Sequence, residues 1–185
     1  SLSTNPKNLF NSTIGIYFNF QEDGERPVHI EMFEPDGNLG FSIDAGIKIQ
    51  GNSSRRYDQK SFRIIARSKY GFDSINYQVF PDLPLAEFKS IILRNGGSNI
   101  SGTYLNDPFC QSLVKDIDVD TQAYRPAAVY INGVYWGLYN IREKQNEDYL
   151  ASHHGIDPDN VDILDEDGQI YEGDDLHYNA LLEFI

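Results

Sequence analysis

The stretch GNSSRRYDQKSFRI, residues 51–64, has the residue types that a phosphate group requires. Gly51, Ser53 and Ser54 make a small-residue loop whose backbone N–H groups can cradle phosphate oxygens. Lys60 opens the strand that follows and can reach an α- or β-phosphate as a point charge. The spacing is not that of a Walker A loop, G-x-x-x-x-G-K-[ST], nor of the kinase G-x-G-x-x-G. Taken alone, the segment reads more simply as a polar hairpin loop with surface basic residues.

Two other constellations could carry chemistry. Arg94 ends the apolar run FKSIILRN, and Asp107 lies in the helical pattern after the loop NGGSNIS. The two can pair across that loop, or Asp107 can face a cation in a cleft; the structural ion pair is the simpler reading. Glu143, between Arg142 and Lys144, could pair with Lys60, hold Mg²⁺ or line an adenine pocket, its plain alternative being a solvated connector carboxylate. The acidic run Asp162, Asp165, Glu166, Asp167, Asp174 and Asp175 fails as an EF-hand loop. Setting Gly168 at the invariant glycine puts Ile163 at the first ligand position and Asp174, not Glu, at the twelfth. A solvated acidic hairpin accounts for it better. His29, His153, His154 and His177 show no zinc spacing, no G-x-S-x-G nucleophile motif exists, and the single Cys110 reads as a buried small hydrophobe.

The elements that must position these residues alternate strands with late helices. TIGIYFNF (13–20) reads as a strand from its β-branched and aromatic content. Residues 27–51 read as a hairpin: a strand over 27–34, a Pro-Asp-Gly turn at 35–37, and a strand over 41–51. Further strands are expected over 60–71, ended by Gly71, and over 88–95. Ser101 is a candidate helix N-cap before an apolar helical pattern of Tyr104, Phe109, Leu113, Val114 and Ile117. Asn132-Gly133, set between runs rich in Val, Ile, Tyr and Trp, predicts a tight hairpin, because both central residues of a type I′ turn need positive φ. Its aromatics Tyr135, Trp136 and Tyr139 are expected mostly in the core. A helix over 146–154, a polar loop over 155–175 and a short final helix complete the chain. The fold class is α+β, a mostly antiparallel sheet with an inserted helix. Two parts are expected: a β-rich lobe with one helix over 1–144, and the start of a helical lobe over 145–185.

Bulk composition narrows the function. With 185 residues, 40% of them hydrophobic and 13% aromatic, the chain can bury a substantial core. Fifteen Lys and Arg against 28 Asp and Glu give a net charge of −13, which disfavours a nucleic-acid or anionic-membrane surface. No apolar run is long enough to span a membrane as a helix. The chain begins at Ser1 without a signal peptide and is read as processed or trimmed.

Taken together, GIKIQGNSSRRYDQKSFRI, SIILRNGGSN…LNDPF and AAVYINGVYWGLYNIREKQNEDYLASHHGID…NVDIL closely resemble the spore-coat protein H (CotH) family of atypical, secretory-type protein kinases. The opening STNPKNLFNSTIGIY looks like the N-terminal segment of bacterial secreted members. The resemblance implies a protein-kinase-like small lobe that binds ATP with Mg²⁺ or Mn²⁺ and phosphorylates Ser/Thr of secreted or surface proteins. It implies Gly51, Ser53 and Ser54 over the phosphates, Lys60 contacting them, Glu143 near the base, and residues 139–144 leading into a hinge. Arg94 and Asp107 support the site; where the family often has Arg-Asp, this chain has Asn106-Asp107. Family members continue into a helical lobe carrying the catalytic and metal-binding Asp residues, so catalysis is expected to need residues beyond Ile185 and these 185 residues alone are expected to be inactive. The competing reading is a non-catalytic surface or coat module for protein or carbohydrate contact.

Overall fold

The structure is a computed structural model that describes residues 1–97, 102–165 and 167–185. It divides into two compact units, Ser1–Glu143 and Lys144–Ile185.

The first unit is built on a closed barrel. Its elements in chain order are β1 (Leu2–Ser3), α1 (Pro6–Phe10), β2 (Arg26–Phe33), β3 (Leu39–Gln50), β4 (Ser61–Ile65), β5 (Ile75–Asn76), β6 (Glu87–Phe88), β7 (Ser90–Arg94), α2 (Asn106–Val114), β8 (Tyr124–Ile131) and β9 (Val134–Glu143). The barrel order is β1-β2-β3-β4-β7-β9-β8, while β5 and β6 pair separately. Its ladders are antiparallel except at the seam, where β1 pairs in parallel with β8 through Leu2 and Ile131. The fold is therefore α+β with a mostly antiparallel sheet. Closure leaves the sheet no free edge to aggregate through.

Alternation along the strands fills the interior. Ala45, Ile47 and Ile49 of β3, Phe62 and Ile64 of β4, Ile91 and Leu93 of β7, and Tyr139 and Ile141 of β9 belong to one buried cluster. The residues between them on β7 and β9, Ile92, Arg94, Asn140 and Arg142, therefore face outward. The Asn140 side chain donates to the Tyr104 carbonyl, just ahead of α2, at 2.9 Å, and Arg142 meets Asp107 of α2, so α2 covers this outer face.

Several elements follow the local sequence closely. Asn132 and Gly133 take φ of +51° and +81°, the pair of left-handed residues a type I′ hairpin demands. Others depart from it. Residues 13–20 form turns, not a strand. The Asn11 side chain accepts from the Thr13 and Ile14 N–H groups, and Tyr17 N–H donates back to the Leu9 carbonyl, so the segment coils under α1 and drops Ile16 into the core. The strand expected over 60–71 ends at Ile65, and a 3-10 turn at Ser68–Tyr70 leads into Gly71 at φ +98°. α2 stops at Val114, and Phe109, Leu113 and Ile117 are exposed, contrary to the apolar side expected there. Cys110, expected buried, is exposed on the same helix. Tyr139 is core and Trp136 half-buried against it, while Tyr135 is exposed. The expected cap at Ser101 lies outside the described residues.

The second unit comprises α3 (Glu147–His154), a β10 (Ile163–Leu164) and β11 (Ile170–Glu172) hairpin, and α4 (Leu176–Phe184). Asn146 caps α3 through the Tyr149 N–H, and Gly155 ends it at φ +66°. The hairpin lies inside the stretch read as polar loop.

Candidate functional site

The loop between β3 and β4 is closed on itself by its own hydrogen bonds. Gly51 takes φ +110°, and a Cβ there would lie 2.4 Å from Ser54 Oγ, so any other residue would be strained and would displace the Ser54 hydroxyl. Ser53–Arg56 wind into a 3-10 turn, in which Ser53 is exposed and Ser54 half-buried. Arg55 folds back to donate from Nε to the Gly51 carbonyl and from Nη1 to that of Phe20.

Lys60 completes this closure. It is 5% exposed, and its Nζ donates to the carbonyls of Arg55 at 2.6 Å and Tyr57 at 3.0 Å. The ammonium lies 4.3 Å from the Phe20 ring centroid and 5.5 Å from that of Tyr17. Burial pushes its pKa below the usual lysine value, with Asp58 opposing. The return of the loop is pinned by Gln59 Nε2 on the Leu138 carbonyl, Asn95 Nδ2 on the Gln59 carbonyl, and Tyr139 OH on the Lys60 carbonyl.

Arg94 and Asp107 come together as the sequence reading expected, 3.6 Å apart, but a third group is closer. Arg142 Nη1 lies 2.9 Å from Asp107 Oδ2 and is 1% exposed, against 28% for the Asp107 side chain and 36% for Arg94. That approach is an ion pair without hydrogen-bond alignment: among the described residues Asp107 Oδ2 and Arg142 Nε and Nη1 have no hydrogen-bond partner. Arg142 Nη2 does donate to Gln122 Oε1 at 3.2 Å, and Gln111 donates to the other Asp107 oxygen at 3.1 Å. Burial holds the Arg142 pKa below its usual value, with Asp107 opposing. Asp107 also sits in the first turn of α2, where the helix dipole favours a carboxylate. Two guanidinium groups thus surround one carboxylate on the outer face of the barrel.

Glu143 is not a solvated connector residue. It is 3% exposed, its Oε2 accepts from the Ala123 N–H at 2.8 Å, and its carbonyl accepts from Gln122 Nε2 at 2.9 Å. It does not meet Lys60. Glu143 stands opposite Ile91 on the ladder, whereas Lys60 precedes Ser61 near the other end, which separates them by roughly 13 Å along the strands. Arg142 went unrecognised in the sequence except as a neighbour of Glu143. The signal for it was its place in the outward-facing phase of β9, two residues beyond Asn140.

The acidic residues of the second unit serve its turns. Asp162 Oδ1 accepts from the Asp174 N–H, Asp165 Oδ1 from those of Asp167 and Gln169, and Asp174 Oδ1 from that of Leu176. Glu166 lies outside the described residues. Among the described residues no three His, Cys, Asp or Glu side chains converge where they could hold a metal ion, so no metal ligand is assigned to them. Nor is any helix among them long and apolar enough to cross a membrane.

No curated protein matches the chain with significance. The family described as CotH kinase protein does, over residues 47–183 of the 185. That match takes in the last four residues of β3, all of β4 to β7, α2, the β8–β9 hairpin, α3, the β10–β11 hairpin and all but the last residue of α4. The chain belongs to the CotH kinase family.

Proposed function

We propose that this chain is the nucleotide-binding part of a secreted or cell-surface, bacterial, ATP-dependent protein kinase that transfers phosphate to Ser or Thr of other secreted or surface proteins. The observation that carries the proposal is the strand order β3-β4-β7-β9-β8, with α2 inserted between β7 and β8. Three neighbouring antiparallel strands, a helix laid on them, and a hairpin whose second strand slots in beside the third make the arrangement of a kinase small lobe. Family membership gives the same direction.

On this reading the Gly51–Ser54 turn covers the phosphates, and residues 139–144 lead the chain out of the barrel toward the helical lobe. Glu143, fixed by the Ala123 N–H, borders the base. Lys60 keeps that turn in shape through the Arg55 and Tyr57 carbonyls. Bound ATP with Mg²⁺ or Mn²⁺ would supply the transferable phosphoryl group; what these residues contribute is orientation and fixed charge, the main terms in phosphoryl transfer.

A second reading has its own observation. Tyr130 and Tyr135, 44% and 54% exposed, pack edge to face at 5.5 Å on the outside of the β8–β9 hairpin, a surface suited to protein or glycan contact without catalysis. Transfer of labelled phosphate from ATP by the protein expressed from its complete reading frame, with Mg²⁺ or Mn²⁺, separates the two. Incorporation into protein supports the kinase. Absence of both incorporation and any nucleotide-dependent rise in melting temperature favours the contact module.

A further inference from the structure

A kinase small lobe needs a cation for the α- and β-phosphates, and Lys60 is engaged elsewhere, buried and donating to two carbonyls. Arg94 has the opposite character. It ends β7, is 36% exposed, and its only described partner is Asp107 at 3.6 Å, too long for a hydrogen bond. Its guanidinium donates to no acceptor among the described residues. Arg142 is almost wholly buried and its Nη1 lies 2.9 Å from Asp107 Oδ2, against 3.6 Å for Arg94 Nη1, so Asp107 is held more closely by Arg142 than by Arg94. The backbone makes room for the Arg94 head: Gly97, at φ +58°, would place any Cβ 2.9 Å from Arg94 Nη2.

We propose that Arg94 is the residue that binds the phosphate chain of the nucleotide, with Asp107 orienting its guanidinium and Arg142 anchoring Asp107. The proposal rests on the nucleotide-binding reading above. Position supports it. β7 is the third strand of the run β3-β4-β7 and is followed by α2, and kinases place their phosphate-binding lysine on the third strand, paired with an acid on the helix that follows. Arginine in that place changes the chemistry. Its planar fork can donate to two phosphate oxygens at once, whereas lysine acts as a single mobile charge. One exposed guanidinium in excess over the single carboxylate leaves positive charge for a phosphate in an otherwise acidic protein.

The test is equilibrium binding of ATP, ADP and adenosine to the protein from its complete reading frame, and to its Arg94→Ala, Arg94→Lys and Lys60→Met variants. Folding of each is checked by circular dichroism and melting temperature. Losing one charge-assisted contact to phosphate should weaken ATP and ADP in Arg94→Ala by roughly tenfold to a hundredfold, with adenosine affinity unchanged. Arg94→Lys should recover part of the loss. Lys60→Met should weaken ATP and adenosine by similar factors or leave both intact. Arg94→Ala that binds ATP as tightly as the parent, while Lys60→Met loses ATP selectively over adenosine, overturns the assignment and leaves the kinase reading standing. A parent that binds neither ATP nor adenosine overturns that reading and this inference with it.

Discussion

Asp107→Asn is the most informative single change in the barrel unit. It removes one negative charge while keeping the volume and an acceptor oxygen, and leaves Arg142, 1% exposed, without a counter-charge at 2.9 Å. Removing one partner of a fully buried ion pair costs about 3–5 kcal/mol, because the remaining charge stays desolvated. The Asp107 side chain is 28% exposed, so screening lowers the expected loss to about 2–3 kcal/mol. The reference for this figure is the double variant Asp107→Asn/Arg142→Met, in which neither charge of this pair is left. Replacing a buried pair by apolar volume is often neutral, so the double variant should be more stable than Asp107→Asn by about 1–3 kcal/mol. Urea unfolding at neutral pH, followed by the fluorescence of the single Trp136 in the barrel unit, measures both differences. Asp107→Asn within about 0.5 kcal/mol of the parent, or a double variant no more stable than the single one, would refute the reasoning that Arg142 is a buried cation dependent on Asp107.

Two glycines separate backbone strain from steric fit, and one carboxylate sets an acid limit. Gly133→Ala, at φ +81° with no atom within 4 Å of the added Cβ, should cost about 1 kcal/mol of strain. Gly51→Ala should cost visibly more in the same denaturation assay, since the Cβ also meets Ser54 Oγ at 2.4 Å, and Ser54→Ala should restore part of that excess. Glu34 bonds Arg125 and Tyr77, and the Arg125 guanidinium above all holds its carboxyl below the usual 4.5. Its folded pKa being depressed, its contribution is fully present above pH 4.5 and is lost as pH falls through the lower folded value. The melting-temperature gap between the parent and Glu34→Gln should therefore be flat through neutral pH and shrink in acid; a gap that widens in acid would contradict it.

Local signals sufficed where the structure is local. The Asn132-Gly133 turn, the β2–β3 hairpin and the helix expected over 146–154 each depend on a few adjacent residues, and the sequence states them. The pairing of Arg94 with Asp107 was also legible, as the end of a strand and the start of the next helix flanking one loop. Residues 13–20 show the limit. Their β-branched and aromatic composition favours a strand, but hydrogen bonds from the Thr13 and Ile14 N–H groups to Asn11 Oδ1 and burial of Ile16 against the barrel outweigh that preference.

What the sequence by itself determined, then, is the α+β class, the β2–β3 and β8–β9 hairpins and the helix after Asn146. Only the tertiary structure decided which charged residues are buried and which stay accessible. Burial and direction depend on partners distant in the chain: Phe20 and Tyr17 close over Lys60, Ala123 fixes Glu143, and α2 brings Asp107 onto Arg142 and Arg94. A lysine and an arginine look equally available along the chain. Closing the barrel turned Lys60 inward onto its own loop and left Arg94 at the surface, because the period-two alternation of β7 and β9 places Arg94 and Arg142 on the outer face while Leu93 and Ile141 fill the interior.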